Sequence, residues 1–191
     1  MTDLIQTPGG HLMANAAGNE THQYLTFSLA GEMFAVGILY VKEIIEYGEL
    51  TEIPMMPPFI RGVINLRGRV VPVIDLAARF GGKTSEIGKR SCIVIVEVVA
   101  GEDRRDLGII VDAVSEVLEI QPGEIEPAPS FGARIRADFI AGMGKVDGKF
   151  VIILKIEQAL STDDLAMLNT IGPPPALGQQ PEAPALGQVA A

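Results

Sequence analysis

The residues that could do chemistry are few, and their spacing does not suit it. The chain has two histidines, His11 and His22, and one cysteine, Cys92. Both histidines lie in or beside an N-terminal stretch with no hydrophobic period, so neither is held against a nucleophile. A zinc site would need further ligands on an ordered backbone. Cys92 sits inside the apolar run CIVIV and reads as a small buried hydrophobe. Being alone, it forms no intramolecular disulfide. Glu43 and Glu46 could share one face of a helix, but acidic residues on a short surface segment are ordinarily solvated. The stretch from Gly62 to Gly68 matches neither the P-loop nor the dinucleotide-binding glycine pattern. No catalytic residue, metal ligand or cofactor is expected.

Charge narrows the classes further. The 191 residues carry a net charge of −9, with a pI near 4.7. A phosphate-backbone partner needs Lys and Arg in excess, so a nucleic-acid target is disfavoured. Aromatic residues are 5% of the chain and tryptophan is absent, which leaves little for base stacking. The longest apolar runs, 70–74 and 92–96, are one strand long, against roughly 20 residues for a membrane span. MTDLIQTPGG lacks the basic and apolar regions of a secretory signal. The expectation is a cytoplasmic protein with no direct membrane insertion.

Elements must position whatever surface remains. The stretch 59–76, FIRGVINLRGRVVPVIDL, reads as two strands around an Arg67-Gly68 turn. The stretch 139–156 repeats it without gaps. Phe59, Ile60, Gly62, Gly68, Val71 and Val73 match Phe139, Ile140, Gly142, Gly148, Val151 and Ile153 at an offset of 80. Upstream, Ala30-Gly31-Glu32 recurs as Ala100-Gly101-Glu102 at an offset of 70. Val41, Glu43, Ile44 and Pro54 recur as Val114, Glu116, Val117 and Pro127 at an offset of 73. The drift falls at turns, where insertions are tolerated, so the duplication is read as real.

Taken in order, 1–22 reads as a flexible arm and order begins at Tyr24. Leu25, Phe27 and Leu29 alternate with Thr26 and Ser28 as in a half-buried strand, and Phe34, Val36 and Ile38 alternate on the return. Ile38, Val41 and Ile45 suggest a short helix over 39–47. A short strand is expected over 50–53, then a loop at Pro54, Pro57 and Pro58. Asp75 is placed to cap a turn over 76–80. Residues 81–89 read as a polar linker between a first lobe, about 23–80, and a second, about 90–156. A C-terminal helix is expected over 157–171, capped by Ser161 or Thr162, with Leu165 and Leu168 on one face. The Pro/Ala-rich stretch 172–191 reads as a disordered tail. About five short strands per lobe close most readily as a small barrel, which removes exposed edges. Two barrels side by side are expected; a single sandwich remains open.

The turns hold one anomaly. Asp147-Gly148 is a strong type I′ hairpin signal, with both residues at positive φ. Arg67 stands where Asp147 does. A left-handed arginine costs roughly 1 kcal/mol or more. Either that turn differs in type or has merely drifted, or Arg67 is kept for its guanidinium, which can pair with a carboxylate such as Glu43 or one on a partner. Arg67→Asp would separate these by leaving stability at least unchanged while reducing binding. Gly62 and Gly142 read as positions needing positive φ or close packing, or as a smooth patch for a partner.

These residues together resemble the CheW family of chemotaxis coupling proteins. IPMMPPFIRGVINLRGRVVPVIDL is similar to that family's signature, and YLTFSLAGEMFAVGILYVKEI, VSEVLEI, IEPAP and FIAGMGKVDGKFVIILKIEQAL extend the likeness over about 23–171. The resemblance implies a mainly β, non-enzymatic adaptor of two SH3-like five-stranded barrels with short helices. It implies links between methyl-accepting chemoreceptors, through their cytoplasmic helical tips, and the regulatory domain of the histidine kinase CheA, within membrane-bound arrays. Carried over motif by motif, it implies that Val41, Glu43, Gly62, Val63, Asn65, Leu66 and Arg67 lie on partner-binding surface. The arm 1–22 and the tail after Gly172 depart from the family pattern. A rival within the same class is a CheW-like input domain of a kinase or larger fusion. No ATP-binding or phosphotransfer segment follows residue 171, so a free-standing domain is expected. A nucleic-acid- or ligand-binding double barrel is the alternative from another class.

Overall fold

The computed structural model describes residues 22–100, 103–129 and 135–160. Its strands are paired mainly by hairpins. β1 (His22–Leu29) and β2 (Glu32–Gly37) form the first, and a 3-10 turn, Ile38–Tyr40, leads to β3 (Val41–Glu46). β4 (Ile60–Leu66) and β5 (Arg69–Asp75) form the second, followed by the single helical turn α1 (Leu76–Arg79). β6 (Cys92–Ala100) pairs with β7 (Asp103–Val111), and β8 (Ala113–Ile120) follows. A 3-10 turn, Pro122–Glu124, precedes the two-residue β9 (Ile125–Glu126). β10 (Ile140–Val146) and β11 (Lys149–Leu154) make the last hairpin described, and α2 (Ile156–Ala159) is the last described element.

The fold is mainly β, as expected, but the lobes are not consecutive segments of chain. One sheet has the order β8-β1-β2-β11-β10-β9 and the other β3-β6-β7-β5-β4. The opening hairpin of each repeat is therefore built into the other repeat's sheet. The division into 23–80 and 90–156 describes the sequence repeats and not the sheets. The exchange is reciprocal down to register. Val73 of β5 pairs in parallel with Gly108 of β7, and Ile153 of β11 pairs in parallel with Ala35 of β2. These residues are equivalent at the offsets of 80 and 73 seen in the sequence.

The exchange explains the apolar runs. β6 alternates Ile93 and Ile95 with Val94, Val96 and Val98, and all five are buried. Ile93 and Ile95 join Val71, Val73 and Ile110 inside the five-stranded sheet. Val94, Val96 and Val98 join Leu107, Ile109, Phe27, Phe34 and Leu154 in a larger core between the sheets. A third cluster, Ala35, Ile120, Val151 and Ile153, fills the six-stranded sheet. Strands with both faces covered read as continuous hydrophobic runs. Phe27, Phe34, Phe80 and Phe139 line up through the central core with centroids 6.2, 6.1 and 5.8 Å apart, within the range of favourable ring pairs.

Three local expectations need correction. Residues 41–46 are a strand, not part of a helix, and only Ile38–Tyr40 is helical. Val41 and Ile45 are four apart, a spacing that also puts them on one strand face. Val41, Glu43 and Ile45 alternate as half-buried with exposed Lys42, Ile44 and Glu46. The strand over 50–53 reduces to one bridge, Thr51 with Val63, closed by two 2.9 Å hydrogen bonds. His22, placed in the arm by the sequence, belongs to β1 and pairs with Ile120. The helix is described only over Ile156–Ala159; the rest of the expected helix and both tails lie outside the described residues.

Candidate docking surfaces

The hairpin tip between β4 and β5 carries the anomaly with the expected geometry. Arg67 and Gly68 have φ of 51° and 83°, against 49° and 76° for Asp147 and Gly148. The same turn is thus built twice, once with an arginine. Asn65 Oδ1 accepts a 2.8 Å hydrogen bond from the Gly68 amide and holds the tip. Arg67 donates from Nη1 and Nη2 to both carboxylate oxygens of Glu43, each at 2.9 Å. The pair joins the tip to β3, at the far edge of the same five-stranded sheet. The Arg67 side chain is nonetheless 78% exposed. An ion pair this exposed contributes about 0–1 kcal/mol, which at best offsets the roughly 1 kcal/mol cost of the left-handed arginine.

The other expected site residues divide. Val41 is half-buried against the central core, and Leu66 is half-buried against the cluster inside the five-stranded sheet. Val63 holds Thr51, and Asn65 is exposed. Gly62 faces its own chain. It has φ of 145°, and a Cβ there would lie 2.4 Å from the Thr51 carbonyl oxygen. At Gly142 a Cβ would lie 2.4 Å from Ile125 Cγ2. Both glycines thus serve close packing, the first of the two readings, and Gly62 supports the tip from behind.

Beside the tip lies a network that the sequence reading missed. Lys42 Nζ is 2.6 Å from Glu97 Oε2 and 2.7 Å from Asp106 Oδ1. Arg104 Nη1 is 3.1 Å from Glu97 Oε1. Arg69 Nη2 is 2.7 Å from Asp106 Oδ2, although no hydrogen bond is aligned with that oxygen. Hydrogen bonds that the Lys42 ammonium donates to Asp106 and to Glu97 hold it above its ordinary pKa. The Lys42 ammonium and then Arg104 hold the Glu97 carboxyl below its ordinary value, against a smaller opposing effect of desolvation. A sequence signal existed. Arg69, Glu97 and Asp106 share strand parity with Val71, Ile95 and Ile110, which point into the sheet's own cluster. Charges at inward positions mark the end of that cluster.

A second surface is a groove of about 540 Å³ lined by Tyr24, Ile38, Leu39, Tyr40, Ile153 and Lys155 among others. Leu39 is 95% exposed at its edge, and burial pushes the Tyr24 hydroxyl pKa up. Among the described residues no cluster of three or more His, Cys, Asp or Glu could hold a metal ion. No helix there is long and apolar enough to cross a membrane.

Comparison with known proteins agrees with the geometry. The family model for the CheW-like domain matches residues 23–164. The chain is similar to the chemotaxis protein CheW of Klebsiella aerogenes, 33% identical over 149 residues, covering 78% of this chain and 87% of that one. It is 30% identical over 155 residues to CheW of Rhizobium meliloti, covering 80% and 97%. The crystal structure of the scaffolding protein TtCheW from Thermoanaerobacter tengcongensis superposes with a TM-score of 0.68 at 38% identity, covering 78% of this chain and 93% of that one. With two reciprocally exchanged sheets, the paired hairpin tips and a family match across nearly all the described residues, this chain belongs to the CheW family.

Proposed function

We propose that this protein is a non-enzymatic chemotaxis adaptor that binds the regulatory domain of the histidine kinase CheA and the cytoplasmic helical tip of a methyl-accepting chemoreceptor at the same time. It works in the cytoplasm, recruited to receptor arrays at the membrane. The kinase domain docks on the end of the five-stranded sheet, where Glu43, Asn65, Leu66 and Arg67 are presented, with Val41, Gly62 and Val63 shaping the surface behind them. The receptor tip lies along the apolar groove beside Leu39. Holding two partners at once raises the effective concentration of kinase beside receptor, and needs no bond chemistry. The observation that carries this reading is Arg67, a bulky residue in a conformation that Asp147 adopts more cheaply, in an ion pair too exposed to repay the difference.

Arg67→Asn tests it. Asparagine tolerates the left-handed region, and unlike aspartate it sets no second carboxylate against Glu43. The thermal midpoint should hold or rise slightly, while affinity for the kinase regulatory domain falls about tenfold, the loss of one charge-assisted contact of roughly 1.4 kcal/mol. Titrations of that domain and of a receptor-tip fragment, followed by backbone amide shifts, should perturb two separate sets of residues. Unchanged kinase affinity, or complete overlap of the two sets, discards the proposal.

A further inference from the structure

Arg79 stands where the two repeats meet. Its Cζ lies 4.9 Å from the centre of the Phe59 ring and 5.3 Å from that of Phe139. Those phenylalanines are equivalent at the offset of 80. Its Nε donates to the Ala159 carbonyl at 3.2 Å, and Ala159 is the counterpart of Arg79 itself at the same offset. A residue that touches its own counterpart, between two rings that are counterparts of each other, lies at the pseudo-two-fold relation between the repeats. A planar guanidinium can meet two ring faces and a carbonyl at once, which a lysine ammonium cannot do as well. The second repeat answers with a fully buried alanine, so this cation comes from one side only. Phe139 also has Arg136 at 5.4 Å, but that side chain is 73% exposed and paired with Asp138.

The two helical turns that Arg79 joins are held unequally. α1 begins at Asp75, which is fully buried and accepts from the Ala78 amide at 3.2 Å. Asp75 is fixed in turn by Arg61 at 3.1 Å and by the amide and hydroxyl of Ser85 at 2.8 and 2.9 Å. α2 begins at the equivalent Lys155, whose side chain makes no capping bond. A single turn is not stable by itself, and its last carbonyls have no partner within the helix. Arg79 supplies one from the firmly held turn to the loosely held one. Ile156, Glu157 and Gln158 of α2 line the groove beside Leu39. We propose that Arg79 is a positioning residue for that groove, pinning the C-terminal end of α2 to α1 and so fixing the wall against which the receptor tip lies. The proposal rests on the reading of the groove given above. The kinase surface is outside its reach, because the length of β5, roughly 20 Å, separates Arg79 from the hairpin tip at Arg67.

Arg79→Met tests it in the intact chain, keeping an unbranched stem between the rings while removing the charge and the donor. The first measurement needs no partner. The Ala159 and Leu160 amides donate to the Lys155 and Ile156 carbonyls at 2.8 and 2.9 Å. In Arg79→Met they should exchange with solvent roughly tenfold faster, while amides in the β4–β5 pairing keep their rates. The second measurement is a pair of titrations. Affinity for a receptor-tip fragment should fall about fivefold, and affinity for the kinase regulatory domain should stay unchanged. Unaltered exchange at Ala159 and Leu160 overturns the proposal whatever the partners do. So does faster exchange with receptor-tip affinity intact, and so does an equal loss for both partners, which would make Arg79 a support of the fold in general. If the receptor fragment binds neither protein, the reading of the groove fails by itself, and the exchange rates alone decide whether Arg79 pins α2.

Discussion

Ala30 and Gly31, with φ of 51° and 83°, make the same left-handed pair as the tips at Arg67 and Asp147. Only Asp147 is a residue type that takes this conformation readily. Ala30 is tied through its amide, which donates to Asp112 Oδ2 at 2.8 Å, so its side chain is free to change. Ala30→Asn should therefore raise stability by about 0.5–1 kcal/mol, seen as a higher urea midpoint at unchanged slope. The opposite outcome belongs to Gly62. Alanine there meets both a φ of 145° and the Thr51 carbonyl at 2.4 Å, where backbone must move. Gly62→Ala should cost roughly 2 kcal/mol or more. A loss below about 0.5 kcal/mol would mean that the bridge between Thr51 and Val63 gives way at little cost. This part of the site was legible in the sequence, because glycine pairs at a constant offset and an aspartate opposite an arginine are marks of backbone geometry. That Glu43 is the carboxylate opposite Arg67 was legible only as one option, since nothing local to either residue fixes their approach.

At the scale of elements, the ion pairs among Lys42, Glu97, Asp106, Arg69 and Arg104 tie four strands, β3, β6, β7 and β5, across one end of their sheet. Their contribution depends on pH with a definite sign. The folded Glu97 carboxyl titrates below its ordinary value of 4.5. The unfolded chain therefore binds more protons in that window, and stability rises with pH through it. The contribution is fully present above about pH 4.5 and is lost as pH falls through the folded value. Lys42, held above 10.5, keeps its share throughout this range and loses it only in strong alkali. Glu97→Gln keeps the shape and removes the charge. The gap in urea midpoint between the unmodified protein and Glu97→Gln should be constant from pH 6 to about 5 and close towards pH 3. A gap unchanged at pH 3 would assign the effect to packing. The misreading of β3 belongs to this scale too. Val41 and Ile45 satisfy a helix and a strand equally, and what decided the matter was pairing with β6, Ile44 with Val94 and Ile45 with Ile93. The β-branched content of the segment was the local hint.

At the scale of the whole molecule, the duplication was legible and its assembly was not. Offsets between matching residues show that two units exist, but no offset shows which unit's hairpin completes which sheet. The parallel pairings of Val73 with Gly108 and of Ile153 with Ala35 join residues 35 and 118 positions apart along the chain, and the sequence around each is consistent with either lobe. The uninterrupted apolar runs were the remaining clue. A strand buried on both faces needs a second sheet behind it, and one strand deep inside a small isolated barrel would not. The exchange has a consequence for folding. The segment 22–80 holds β1 and β2 but none of the β8, β10 and β11 partners that complete their sheet, and it holds β3, β4 and β5 without β6 and β7 between them. The segment 90–160 is deficient in the reciprocal way. Neither repeat has its core alone, because the central cluster draws Leu25, Phe27 and Phe34 from one and Val94, Val96 and Leu107 from the other. The intact chain should then unfold in one cooperative step with coincident transitions by circular dichroism and by amide exchange of both sheets. The two repeats produced separately should each give poorly dispersed amide spectra, and mixing them should recover native dispersion in an equimolar complex. A native spectrum from 22–80 alone would mean that its strands can close a sheet without the exchange, and the reciprocal topology would then be a packing preference rather than the condition for folding.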